Sequence, residues 1–155
     1  INPTFKSSAL MTLTFVLSSF VFSTATWGQS MLNDIDDLKW KNRIILVYSE
    51  SNSNVLYHQL TSDIDSIKER DIVWFLLSND RLKTNYNGDI SSDIIHHLEK
   101  IISSAKPHSF MDHVVLIGKD GGIKSRSTNL NLTGLYQQID AMPMRQQEIR
   151  RQSEQ

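Results

Sequence analysis

Apolar positions along this chain fall into runs and stripes of distinct period. The earliest run, Ala9 to Phe22 (ALMTLTFVLSSFVF), follows the lone cation Lys6 and gives way to small residues and then polar chain. It is shorter than the roughly 20 apolar residues of a spanning helix and has the form of a signal-peptide core. Residues 1–28 are therefore expected to be removed on export, with cleavage after Ala25 or Gly28, leaving no membrane span in the mature chain. Arg43 to Ser49 (RIILVYS) is continuously apolar, the pattern of a strand covered on both faces. A polar loop, Ser51-Asn52-Ser53-Asn54, follows and ends in a helix cap. Val55, Leu56, Leu60, Ile64 and Ile67 then recur at steps of three and four, which predicts one helix reaching about Arg70.

The second half repeats the theme. Asp71 to Ser78 (DIVWFLLS) reads as another buried strand, parallel to the first across the helix between them. Asn79 to Asp89 reads as polar turn. Ser91 or Ser92 caps a helix carrying Ile94, Ile95, Leu98, Ile101 and Ile102, which ends before Pro107. His113 to Ile117 and Ile123 to Arg126 flank Gly118 to Gly122, where Asp120-Gly121 is the pair suited to a type I′ hairpin turn. No helix pattern follows Gly122, so these glycines turn the chain and do not cradle a phosphate. Leu132, Leu135, Ile139 and Met142 form a last stripe capped at Thr133, and Pro143 opens a short helix over Met144 to Arg151. Residues 29–151 thus make one domain and 152–155 a polar tail.

Composition removes whole classes of chemistry. With no cysteine anywhere, thiol catalysis, disulfides, lipoprotein anchoring and cysteine-ligated metal are excluded. The 16 basic and 17 acidic residues leave a net charge of -1, which becomes -2 when Lys6 leaves with the signal segment. There is no long basic block. The densest patch, Arg145, Arg150 and Arg151, is interleaved with Glu148 and Glu154, so a nucleic-acid partner is not expected.

The order β-α-β-α-β-β-α matches the thioredoxin fold, with a mixed sheet of about four strands flanked by helices. Trp40-Lys41-Asn42-Arg43 running into IILVYS, then VVLIGKDGGIKSR, then IDAMPMRQQEIR, resemble the P-DUDES domain. That peroxiredoxin-like domain of unknown function occurs in sushi-repeat-containing and down-regulated-by-oncogenes extracellular proteins and in single-domain exported bacterial proteins. The resemblance spans about residues 32 to 151. It implies a thioredoxin-like fold, a periplasmic or secreted location and no established activity. Thioredoxin-like enzymes carry the reactive cysteine at the end of the first long strand or the start of the next helix. Here that region reads Ser49-Glu50-Ser51-Asn52-Ser53-Asn54-Val55, and serine cannot cycle through sulfenic acid or disulfide.

The remaining candidates are weak. His96-His97, His108, Asp112 and His113 are the only metal-like grouping, yet adjacent helical residues point about 100° apart and the useful i,i+4 pair is missing. Asp34, Asp36 and Asp37 read as acids at a helix start. No Gly-x-Ser-x-Gly elbow supports a serine nucleophile. Trp40 is expected to pack over the sheet edge and Arg43 to tether helix ends. No catalytic residue, metal or cofactor is assigned. The candidate binding surface comprises Ser51, Asn52, Ser53 and Asn54, with Met144 and Arg145 at the Met-Pro-Met-Arg turn. The leading expectation is an exported, non-catalytic module that binds a protein or small molecule outside the cytoplasm. The alternative is an enzyme with a thiol-independent site at the loop after the first long strand.

Overall fold

The computed structural model describes residues 31–79, 81–104 and 113–154; the expected signal segment, Pro107, His108 and Asp112 lie outside these. A 3-10 helix, Ile35–Leu38, is followed by β1 (Arg43–Tyr48), α1 (Ser53–Ser62), α2 (Ile64–Glu69), β2 (Ile72–Ser78) and β3 (Arg81–Thr84). Then come α3 (Ser92–Ser103), β4 (His113–Ile117), β5 (Ile123–Ser127), α4 (Leu132–Asp140) and α5 (Pro143–Ser153). The sheet order is β3-β2-β1-β4-β5. β1 and β2 are parallel, as their helix-linked order requires, and the other pairings are antiparallel. This is an α/β fold with a five-stranded mixed sheet flanked by helices, consistent with the thioredoxin-like arrangement.

Alternation along the strands separates two apolar layers. Ile44, Leu46, Val73, Phe75, Leu77, Val115 and Ile117 face α3 and the 3-10 helix. Ile45, Val47, Ile72, Trp74, Leu76, Val114 and Leu116 face α1, α2 and α4. Both faces of β1 and β2 are therefore covered, which is why their sequences carry continuous apolar runs. α3 is amphipathic, with Ile94, Leu98 and Ile102 buried, and Ser91 caps it by accepting the Asp93 N–H.

Several local expectations are corrected. The fifth strand, β3, lies inside the stretch read as turn, and only its exposure alternates. Beyond it, the Asn85 amide takes over the ladder: its Oδ1 accepts the Trp74 N–H at 2.8 Å and its Nδ2 donates to the Ile72 carbonyl at 3.0 Å. The helix expected to run to Arg70 breaks at Asp63, and Val55 and Ile64 are left exposed. α1 opens at Ser53, with Asn52 at the cap position. The cap of α4 is Asn131, which accepts the Gly134 N–H, and Thr133 sits inside the helix. Pro143 does open α5, which runs on through Ser153 into the expected tail.

The hairpin forms, with Ile117 opposite Ile123 and a bulge beside it. Its turn is not type I′, because only Gly121 has a positive φ, +79°. Asp120 instead accepts the Gly122 N–H through its side chain at 3.1 Å. A Cβ at position 121 would collide with the Lys39 side chain. Gly121→Val is expected to cost about 1 kcal/mol or more of stability, read from the urea midpoint; an unchanged midpoint would refute the turn.

Candidate functional site

The two ends of the sheet carry different chemistry. At the carboxyl ends of β1 and β2, where open α/β sheets take ligands, the chain turns through Ser49 to Asn52 into α1. Ser49 is buried and its Oγ accepts the Asn52 N–H at 3.0 Å, so the loop is pinned from beneath. Beside it opens a pocket of about 430 Å³ lined by Glu50, Ser53, Asn54, Leu76, Ser78, Asn79, Arg81 and Lys83. The Tyr48 hydroxyl donates to Glu50 at 2.9 Å. Asn79 holds a left-handed φ of 43° as β2 ends.

The opposite end is an ion network. Arg43 and Arg145 are each 1% exposed, the only arginines among the buried residues described. Arg43 donates to the Arg70 carbonyl and forks onto Glu148 at 3.2 and 3.3 Å. Lys119 reaches Asp71 and Glu148, both at 2.7 Å. Arg145 binds the Glu69 carboxylate at 2.6 Å, the Glu69 carbonyl at 3.1 Å and Asp140 at 3.3 Å. Arg70 also clamps Asp140, at 2.7 Å.

Charge pairing sets the protonation of this end. Burial pushes the Asp140 and Glu148 carboxyls up, but hydrogen bonds and charges from Arg70 and Arg145, and from Lys119 and Arg43, hold both below their ordinary values. Tyr136 is pushed up to about 12, first by burial and then by Asp63. Its buried hydroxyl faces Asp63 without closing a hydrogen bond of ordinary geometry to any described residue, while Arg70 stacks over its ring at 4.8 Å.

The expected binding residues are thus divided. Ser53 and Asn54 line the pocket, with Ser51 and Asn52 exposed just before them. Met144 and Arg145 lie at the other end of the sheet. Arg145 is corrected from a surface contact to a buried tie, since every donor nitrogen of its guanidinium is engaged within the fold. Met144 is 37% exposed and lines a separate cavity with Arg43, Lys119 and Met142. Arg43 tethers as expected. Trp40 does not pack over the edge: it is 68% exposed with a φ of 63°. Trp40→Ala is accordingly expected to shift stability by less than about 0.5 kcal/mol, and a larger loss in urea unfolding would restore a packing role.

Among the described residues, no group of three or more His, Asp or Glu side chains could hold a metal. His97 instead sits 3.4 Å from Asp34, and His96 3.9 Å from Glu99. Asp34 and Asp37 form a capping box on the 3-10 helix, while the Asp36 carboxylate pairs with Lys39 at 2.7 Å. No described helix is long and apolar enough to cross a membrane. Arg81 and Lys83 were missed as site residues. Their signal was the alternation Arg81-Leu82-Lys83-Thr84, concealed by the turn-forming residues around it.

Residues 34–148 match the family described as a domain of unknown function, DUF4174. The chain belongs to the DUF4174 family. The matched range of the DUF4174 domain runs from the capping-box aspartate to Glu148, so it takes in both the polar pocket and the ion network. Comparison with curated proteins and with solved structures finds no match.

Proposed function

We propose that this DUF4174 domain is an exported, non-catalytic binding module that holds its ligand or partner at the carboxyl ends of β1 and β2. The observation that carries this reading is the pocket beside Ser53 and Asn54, open at the place where a thioredoxin-like enzyme would present its cysteine. Its lining is polar, and its volume falls in the range of about 300–1,000 Å³ used for small molecules. The cysteine-free chain has no thiolate to attack peroxide or disulfide, and such turnover needs one.

The test is amide chemical-shift mapping on the purified protein. The native exported fraction is added as a small-molecule filtrate and, separately, as a protein retentate. Shifts clustered at Glu50 to Asn54 and Ser78 to Lys83 are expected from one of them. Shifts confined to other surfaces, or none from either, would refute the module as placed.

A further inference from the structure

The pocket at the carboxyl ends of β1 and β2 has an unbalanced charge. In the antiparallel register of β2 and β3, Ser78 lies opposite Arg81 and Leu76 opposite Lys83. Directly paired residues share a face of the sheet. Leu76 belongs to the layer packed on α1, so both cations project toward the start of α1, beside Ser53 and Asn54. Two cations therefore meet one carboxylate, Glu50, among the described lining.

Neither cation is paired by that carboxylate. Glu50 is engaged by the Tyr48 hydroxyl. Lys83 lies with its Nζ 4.4 Å from the centre of the Tyr57 ring, a cation–π contact, and forms no ion pair with a described residue. Arg81 forms no side-chain hydrogen bond or ion pair with any described residue. This contrasts with the other end of the sheet, where Arg43, Arg70, Lys119 and Arg145 all meet carboxylates. The lining also brings neutral donors, the Ser53 and Ser78 hydroxyls and the Asn54 and Asn79 amides. A planar guanidinium with an ammonium two residues away suits an oxyanion, which accepts a forked pair from one and a point charge from the other.

Resting on the binding role proposed above, we infer that this pocket takes the oxyanion of a small ligand, a carboxylate or a phosphate, on Arg81 and Lys83. The ligand is bound and not transformed.

The experiment is an amide and arginine side-chain chemical-shift titration of the purified protein at low ionic strength, with inorganic phosphate and acetate as separate probes. Saturable shifts at Ser53, Asn54, Asn79 and the Arg81 Nε are expected with at least one probe. The tighter of the two identifies the oxyanion class. Arg81→Gln should weaken binding by about tenfold or more, and the double variant with Lys83→Gln should abolish saturation. Lys100→Gln, on the exposed side of α3, should leave it unchanged. Absence of saturable shifts with both probes would overturn the inference, as would undiminished binding by the double variant. A response to the exported fraction with none to either probe overturns the ligand class alone, whereas silence toward all of them removes the site as well.

Discussion

Arg145→Ala is expected to destabilise the fold by about 3 kcal/mol, at the lower end of the range for removing one partner of a buried ion pair. The arginine is 1% exposed, while its carboxylate partners Glu69 and Asp140 keep 55% and 33% of their side-chain surface. Those acids regain some solvent when the cation goes, and this holds the cost toward the smaller figure. Position matters as well as charge. Arg145 is the only buried residue of α5, so this helix is seated through ionic ties and not through an apolar stripe. Lysine can place one ammonium but cannot reproduce a fork onto Glu69 and a third contact to Asp140, so Arg145→Lys should recover less than half of the loss. Urea unfolding at neutral pH measures both, and a loss below about 1 kcal/mol for alanine would show that α5 is held some other way.

Acid should unseat the same end of the molecule. Asp140 and Glu148 have folded pKa values below their ordinary 3.8 and 4.5. Between folded and ordinary values the unfolded chain binds more protons, so stability rises with pH there. Their contribution is fully present above about pH 4.5 and is lost as pH falls through the depressed folded values. Tyr136 acts at the other extreme. With its folded value raised from 10.0 to about 12, the unfolded chain ionises first, and stability is lost as pH rises across that interval. The urea midpoint followed from pH 7 downward should fall below about pH 4.5. Asp140→Asn with Glu148→Gln should flatten that acid limb while lowering the plateau. A midpoint that climbs on acidification would contradict the network.

The sheet's centre was legible because its physics is local. β1 and β2 are covered on both faces, and continuous apolar runs such as IILVY and IVWFLL follow from that alone. α3 showed itself through a single apolar stripe. The fifth strand did not, since Arg81–Thr84 is only 4 residues long at an exposed edge, and the Asn85 side chain supplies the pairing that a longer strand would have advertised. The break at Asp63 was equally hidden: Val55 and Ile64 continue the helical period but point outward, so the pattern overstated one helix where the chain makes two. At the hairpin, Gly121 alone carries the positive φ, because the Asp120 carboxylate fastens the Gly122 N–H and the aspartate itself stays in ordinary backbone space.

Of the site, the strand-to-helix loop could be located from the order of elements, and Ser53 and Asn54 do line a pocket. The cations facing them come from β3 and needed the register to be seen. Arg145 is the sharper lesson. Its partner Glu69 lies 76 residues away in the chain, and Arg43 and Glu148 are 105 apart. A basic residue in a helix rich in polar side chains looks solvated until such partners are brought together.

The most direct test of the binding module places a photo-crosslinking amino acid at Asn54, at the mouth of the pocket, and, in a separate variant, at His96, which is 89% exposed on α3. Both variants are expressed in the native host, irradiated and recovered from the exported fraction. Discrete, saturable adducts at position 54, with none above background at position 96, are the predicted result. Equal labelling at both positions, or none at 54 in a correctly folded protein, would contradict the assignment of a binding site to the carboxyl ends of β1 and β2.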